Sequence, residues 1–330
     1  MTSPLLSIAG LGATSDRDGG APILRDVSLT LERGEVRGLV GESGAGKSTI
    51  AKALLGILPR SVRITSGSIL FESRNLLTLS AKELRGIMGS DISLIPQDPQ
   101  TALNPGRRIE AQLTDGLRLK RGMSSGDARR RALKLLEEVH IRDPERVLSA
   151  YPHELSGGMR QRILIAAAFA LEPKLVVADE PTTALDVTIQ AQILSEVQKL
   201  ARQHGTALIW ITHDLSVVAG LADDVAVMYS GRIVEQGKVS DVLDRPLHPY
   251  TQGLIGSLPG NNRRGERLRQ IPGLTPNLLH LPPTCAFAAR CERVSEQCLT
   301  RPEITEPLKA HFVRCFHPAL PVNAVELRHG

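Results

Sequence analysis

The sequence predicts an α/β fold built on a largely parallel sheet, with a helical subdomain inserted into it and a small cysteine-bearing module after it. Three observations carry this. Residues 36–58 read as a strand, a glycine-rich loop and a helix, closed by Pro59. Residues 175–178 and 207–211 are short, unbroken apolar runs of the kind buried on both faces of a parallel sheet. Between those runs, 188–204 has helical spacing and stops at Gly205, a residue that ends helices by taking the left-handed conformation.

The elements follow in order. Residues 1 to about 75 alternate strands with turns, including 27–31 and 36–40, the second running straight into the loop. In 47–58, Ile50, Ala51, Leu54, Leu55 and Leu58 recur at helical spacing. From about 105 to 171 the pattern becomes helical and more charged, with 127–140 clearly amphipathic, which marks the inserted subdomain. The α/β core then resumes, and Tyr229, Ser230 and Gly231 join 225–228 to 233–234 as a hairpin. After about residue 244 prolines multiply and periodicity fades, so the expected domains are 1–244 and 245–330.

Composition narrows the class. With 42% hydrophobic and 23% charged residues the chain is globular, which excludes disordered, collagenous and coiled-coil classes. Aromatics, at 3%, are too scarce for a base-stacking nucleic-acid surface. The net charge of +5 and the arginine-rich stretch 263–269 read as solvated surface, with an anionic partner for the first, and lipid headgroups or a partner subunit for the second, as the alternatives. The longest apolar run, 163–171, is far short of the roughly 20 residues that cross a bilayer, so it reads as a buried helix. The N-terminus shows no basic and apolar secretory pattern, so the chain is expected in the cytoplasm.

Gly41, Gly46, Lys47 and Ser48 fit GxxxxGK[ST]. In that pattern glycines turn backbone N–H groups inward around phosphates, and the next helix offers its N-terminus. The loop Gly41, Glu42, Ser43, Gly44, Ala45, Gly46, Lys47 and Ser48, followed by Thr49, is therefore a candidate nucleotide cradle. Lys47 is expected on the β- and γ-phosphate oxygens and the Ser48 hydroxyl on Mg²⁺. An ordinary strand-to-helix turn is the bland alternative. Residues 175–180 form a hydrophobic strand ending in Asp179 and Glu180, which places one carboxylate near Mg²⁺ and the other on a water; alone, such a pair would more often be a helix cap. Ser156, Gly157 and Gly158, in LSGGM, open an apolar helix and form a second anion-ready N-terminus, with a plain capping serine as the alternative.

A P-loop, an LSGG signature and a DEP strand in this order resemble the ABC-type nucleotide-binding domain of the P-loop NTPases, over nearly the whole chain. The resemblance implies further roles. Gln97 in LIPQDP is similar to the Q-loop glutamine, which contacts Mg²⁺ or the attacking water. Asp186 in ALD is similar to the D-loop aspartate, and His213 in ITHD to the switch histidine at the γ-phosphate. Glu180, His213, Gln97 and Lys47 would then hydrolyse ATP to ADP and phosphate with Mg²⁺, Glu180 as general base. The family works as a head-to-tail dimer, so Ser156, Gly157 and Gly158 would serve the partner's nucleotide. Two departures stand out: Met159 replaces the usual glutamine, and 1–30 contains no Phe, Tyr or Trp to stack on adenine.

ALNP at 102–105, HPYT at 248–251 and four C-terminal cysteines together resemble the D-type ATPase of dipeptide and oligopeptide importers. That implies peptide import at the cytoplasmic face of the inner membrane, with a paralogous ATPase in a heterodimer, two permease subunits and an extracytoplasmic solute-binding protein. Another solute (nickel, glutathione, an opine-like compound) is an alternative, as is a soluble ATPase acting on nucleic acid or the ribosome. Cys285, Cys291, Cys298 and Cys315, in a reducing compartment, suggest metal rather than disulfides. Their spacing leaves open an iron–sulfur cluster, zinc with His311 or His317 replacing a cysteine, or four unconnected thiols. The resemblance implies a [4Fe-4S] cluster on four thiolates.

Overall fold

The structure, a computed structural model, describes residues 3–17, 19–183, 186–258, 260, 262, 267, 269–281 and 283–320. Most of the arginine-rich stretch 263–269, and Ala184 and Leu185 before Asp186, lie outside the described residues. In chain order the elements begin β1 (Leu6–Ser15), β2 (Ala21–Leu31), β3 (Val36–Val40), α1 (Lys47–Leu55), β4 (Val62–Phe71) and β5 (Arg74–Asn75). Then come α2 (Ala81–Ile87), β6 (Ile92–Ile95), α3 (Pro99–Ala102), α4 (Ile109–Arg121), α5 (Ser125–Glu138), α6 (Pro144–Ser149) and α7 (Gly157–Phe169). The remainder is β7 (Leu175–Asp179), α8 (Val187–His204), β8 (Ala207–Thr212), α9 (Leu215–Leu221), β9 (Asp224–Tyr229), β10 (Arg232–Lys238), α10 (Val239–Asp244), α11 (Pro249–Gly256), β11 (Thr305–Leu308) and β12 (His311–Val313). They form two compact units, one of Met1–Thr30, Arg37–Leu77 and Thr212–Gly330, the other of Leu31–Val36 and Thr78–Ile211.

In the first unit β2, β1, β4 and β5 make a four-stranded sheet in which β4 is antiparallel to β1 and β5, β1 and β4 pairing from Leu6 opposite Phe71 to Ser15 opposite Val62. A second ladder runs from β3, parallel to β9, through the β9–β10 hairpin to β12 and β11. The hairpin lies where the runs 225–228 and 233–234 placed it; Ser230 and Gly231, at φ 45° and 79°, make its turn. Helix α1 is shorter than its apolar spacing suggests. Gly56, at φ 66°, caps it after Leu55 and leaves Leu58 outside, because a left-handed glycine stops a helix before proline has to.

The residues after 244 are not a loose tail. Strand β12 pairs with β10, placing Val313 opposite Glu235. Tyr229 of β9, Tyr250 of α11 and Phe287 meet in one core, with ring centroids 4.6 Å apart for the tilted tyrosine pair and 5.3 Å for the edge-on pair Tyr229 and Phe287. Burying each such ring contributes on the order of 2–3 kcal/mol. Glu235, itself buried, accepts the Leu247 N–H at 2.7 Å and the His248 N–H at 2.9 Å, and its Oε1 lies 2.7 Å from His311 Nε2. A buried carboxylate is tolerable only with such partners, and this one joins β10, the turn before α11 and β12.

In the second unit β6, β7 and β8 are parallel, with Ile95 opposite Ala178 and Ala178 opposite Trp210. Every residue of β8 is buried, which explains an apolar run without alternation. Helix α8, capped by Asp186 and Gly205, connects β7 to β8. Helices α4 to α7 follow one another between β6 and β7, in the stretch expected to be helical. Ala128, Ala132, Leu135 and Leu136 form the buried face of α5, while Arg129 ties it to Glu110 on α4 at 2.7 Å and to Glu145 on α6. Among the described residues no helix is long and apolar enough to cross a membrane.

Candidate functional site

The glycine loop lies in the first unit, between β3 and α1. Gly41 is at φ 155°, and a Cβ there would sit 2.3 Å from the Met228 carbonyl oxygen, so the loop passes β9 more closely than any side chain permits. Ser43 and Gly44 form the exposed tip, Ala45, Gly46 and Lys47 are buried, and Ser48 and Thr49 are half-buried. The Lys47 ammonium donates to the carbonyls of Gly41 at 2.8 Å and Glu42 at 3.2 Å, which holds a cation within the curl of the loop. Helix α1 begins at Gly46 with no side-chain cap, and the positive end of a helix suits an anion. This donor set fits a polyphosphate. His213 of the same unit stands exposed after β8, followed by Asp214, whose carboxylate caps α9 through the Ser216 N–H at 2.8 Å.

Gln97, Ser156, Gly157, Gly158, Asp179, Glu180 and Asp186 lie in the second unit. Half-buried Asp179 ends strand β7. Glu180 follows at φ 47°, a left-handed conformation that costs a non-glycine residue about 1–2 kcal/mol and is held by its N–H bonding the Ile211 carbonyl at 3.0 Å. Its carboxylate receives Thr183 Oγ1–H at 3.1 Å and Gln97 Nε2–H at 3.5 Å. The structure thus brings Gln97 to Glu180, across 83 residues of sequence. Ser156 caps α7, its hydroxyl accepting the Met159 N–H at 3.3 Å, and Asp186 caps α8 through the Ile189 N–H at 3.0 Å. Both capping side chains are exposed. The bland reading of Ser156 as a cap therefore holds locally, and it leaves the glycine-rich end of the helix open to solvent.

The cysteines are less convergent than the four-thiolate expectation. Among the described residues no three His, Cys, Asp or Glu side chains stand in the arrangement of a metal-ligand group. The thiols are nonetheless neighbours: Cys285 and Cys291 pack against the same core, and the Cys285 N–H bonds the Cys298 carbonyl at 3.1 Å. Burial pushes the Cys285 and Cys291 thiols up, and that of Cys315 up to about 11. Two sulfurs accept backbone N–H groups two residues on, Cys291 from Arg293 and Cys315 from His317, both at 3.3 Å.

Three side chains that sequence reasoning assigned no role reach the loop from the C-terminal residues. Arg290, Thr275 and Tyr250 all bond Glu42. An arginine inside the apolar run Cys285-Ala286-Phe287-Ala288-Ala289 and Cys291 was the one visible signal, since a cation there needs a buried partner.

Comparison with known proteins fits this geometry. The family described as "ABC transporter" matches residues 24–183, and "Oligopeptide/dipeptide transporter, C-terminal region" matches 234–298. The oligopeptide transport ATP-binding protein OppD of Salmonella typhimurium is 45% identical over 95% of this chain and 94% of its own length. The dipeptide transport ATP-binding protein DppD of Bacillus subtilis is 47% identical over 94% of each. Among solved structures, a dimeric ATP-binding cassette in a post-hydrolysis state bound to ADP and Pi superposes with TM-score 0.64 at 27% identity, covering 71% of this chain and 98% of that one. CbiO1 of Clostridium perfringens, part of an ABC transporter complex, gives 0.62 at 28% identity, over 74% and 92%. With a glycine loop around a buried lysine, a glutamate closing a parallel strand and full-length relatives of this kind, the chain belongs to the ATP-binding subunits of oligopeptide and dipeptide ABC transporters.

Proposed function

We propose that this chain hydrolyses ATP to drive import of dipeptides or oligopeptides, working peripherally at the cytoplasmic side of the inner membrane. Support for the chemistry comes chiefly from the Gln97–Glu180 pair at the end of a parallel strand, where an amide orients a carboxylate. In this reading Gly41, Glu42, Ser43, Gly44, Ala45, Gly46, Lys47, Ser48 and Thr49 enclose the phosphates, the Lys47 ammonium meeting β- and γ-oxygens. Ser48, Gln97 and Asp179 would hold Mg²⁺, which when bound neutralises charge on the terminal phosphates. Glu180 takes a proton from water as its oxygen bonds the γ-phosphorus and the bond to ADP breaks. His213 steadies the γ-phosphate. Ser156, Gly157, Gly158 and Asp186 serve the nucleotide of a second, paralogous ATPase.

The peptide substrate, the two permeases and the solute-binding protein are proposed from the named relatives, whose C-terminal region this chain shares. The cysteine module is proposed to hold a [4Fe-4S] cluster on Cys285, Cys291, Cys298 and Cys315. Backbone N–H···S bonds at Cys291 and Cys315 favour thiolates there, and cation binding would offset the cost of ionising buried thiols. Affinity purification of the tagged chain from its native host in mild detergent tests the assembly. Recovery of two permeases, a second ATPase and a peptide-binding protein is expected; recovery of a nickel- or glutathione-binding protein instead would reassign the solute, and ribosomal partners without membrane proteins would overturn the importer. Iron and sulfide content after anaerobic purification tests the cluster against zinc.

A further inference from the structure

Glu42, second residue of the glycine loop, is held from behind by the C-terminal residues. Arg290 donates Nη1–H to Glu42 Oε2 at 2.8 Å and Nη2–H to Oε1 at 3.1 Å, a two-pronged ion pair. Thr275 Oγ1 donates to the same carboxylate at 3.0 Å, and the Tyr250 hydroxyl accepts the Glu42 N–H at 2.9 Å. The Glu42 carbonyl receives Lys47. One loop residue is therefore bonded at its N–H and carboxylate to the C-terminal residues and at its carbonyl to the lysine that faces phosphate.

Arg290 is itself immobilised. Its Nε–H donates to the Pro272 carbonyl at 2.8 Å, and the guanidinium lies 5.7 Å from the Tyr229 ring and 5.9 Å from Phe287, with 5% of the side chain exposed. It ends the short turn Ala288–Arg290, immediately before Cys291. Burial alone would raise the Glu42 carboxyl, but the hydrogen bonds and charge of Arg290, with Thr275, outweigh it and hold the group ionised.

A carboxylate built into a phosphate-binding loop repels the ligand the loop is shaped for. Arg290 cancels that charge and fixes its direction. We infer that Arg290 is a positioning residue for ATP binding: it neutralises and orients Glu42 from the cysteine-bearing module, so that nucleotide affinity depends on that module being folded around the loop. The inference rests on the reading of loop 41–49 as the ATP site. Removing Arg290 exposes the Glu42 charge as well as loosening the loop, and removing the Glu42 charge as well undoes the first effect.

The test titrates the full chain with a fluorescent ATP analogue and Mg²⁺ at low salt. Wild type must bind it; failure there would sink the ATP-site reading itself, not this inference. Arg290→Ala is expected to weaken binding about 10-fold, less at high ionic strength, with Arg290→Lys intermediate. The double variant Glu42→Gln/Arg290→Ala is expected to recover to within about threefold of wild type, because the repelling charge is gone. In the ATPase assay the loss should fall on KM rather than kcat. A structural role alone would leave the double variant as weak as Arg290→Ala, and that result, or unchanged affinity in Arg290→Ala, overturns the inference. A thermal melt of each variant identifies any that fail to fold, and Arg290→Lys then carries the comparison.

Discussion

Gln97 Nε2 lies 3.5 Å from Glu180 Oε2, at the outer limit of a hydrogen bond, while Thr183 holds the same oxygen at 3.1 Å. Two neutral donors thus reach the carboxylate of the residue proposed as general base. Glu180→Gln should lower kcat by about 100-fold or more while leaving ATP binding within a few-fold of wild type, since the amide keeps the shape and loses only the proton acceptor. Phosphate release and nucleotide titration measure the two separately. Gln97→Ala, which removes one contact to that carboxylate and leaves the carboxylate itself, should cost less in kcat than Glu180→Gln.

At Gly41 the prediction concerns backbone. A methyl group there would meet the Met228 carbonyl at 2.3 Å in a conformation that L residues avoid. Gly41→Ala should destabilise the fold by roughly 1–3 kcal/mol and displace the loop, so chemical denaturation and ATP titration should both register it.

Glu235 anchors three donors in the interior of the first unit. Glu235→Ala leaves two buried N–H groups and a buried imidazole without their acceptor, and should cost roughly 3–5 kcal/mol. Glu235→Gln keeps an acceptor oxygen and should cost less. Equilibrium denaturation checks the order.

His248 predicts a pH dependence. Burial outweighs the attraction of Glu235 and pushes this imidazole down to about 4, and its Nδ1 accepts the Tyr250 N–H at 3.0 Å, which requires the neutral ring. Because the unfolded histidine titrates near 6.5, the unfolded state binds the proton first. Stability from this residue is complete above about pH 6.5 and falls as pH drops toward 4, by roughly 3 kcal/mol in all. Melting temperatures measured across that window should show the fall, and His248→Gln should flatten it.

The Cys315 thiol, pushed by burial to about 11, should be a slow nucleophile in the metal-free chain. Its alkylation should keep accelerating above pH 9, where an exposed thiol has already levelled off. Mass-resolved labelling with iodoacetamide follows each cysteine separately.

Much of this was legible in the sequence because it is local. The strand, glycine loop and helix at 36–55, the unbroken runs of β7 and β8, and the cap Ser156 are each written within a few consecutive residues, where backbone sterics and hydrophobic period decide the outcome. Even the error at the end of α1 was local, since Gly56 competes with Pro59 over three residues. The C-terminal residues were less legible. Their proline-rich, aperiodic sequence hides β12 and the aromatic core of Tyr229, Tyr250 and Phe287, which form by pairing with β9 and β10.

The sequence by itself determined the order of the motifs and hence the class of chemistry. Only the tertiary structure decided which side chains meet: Gln97 with Glu180 across 83 residues, and Arg290 with Glu42 across 248. Neither pair leaves a periodic trace, because a contact between distant residues is set by the packing of the elements that carry them and not by spacing along the chain.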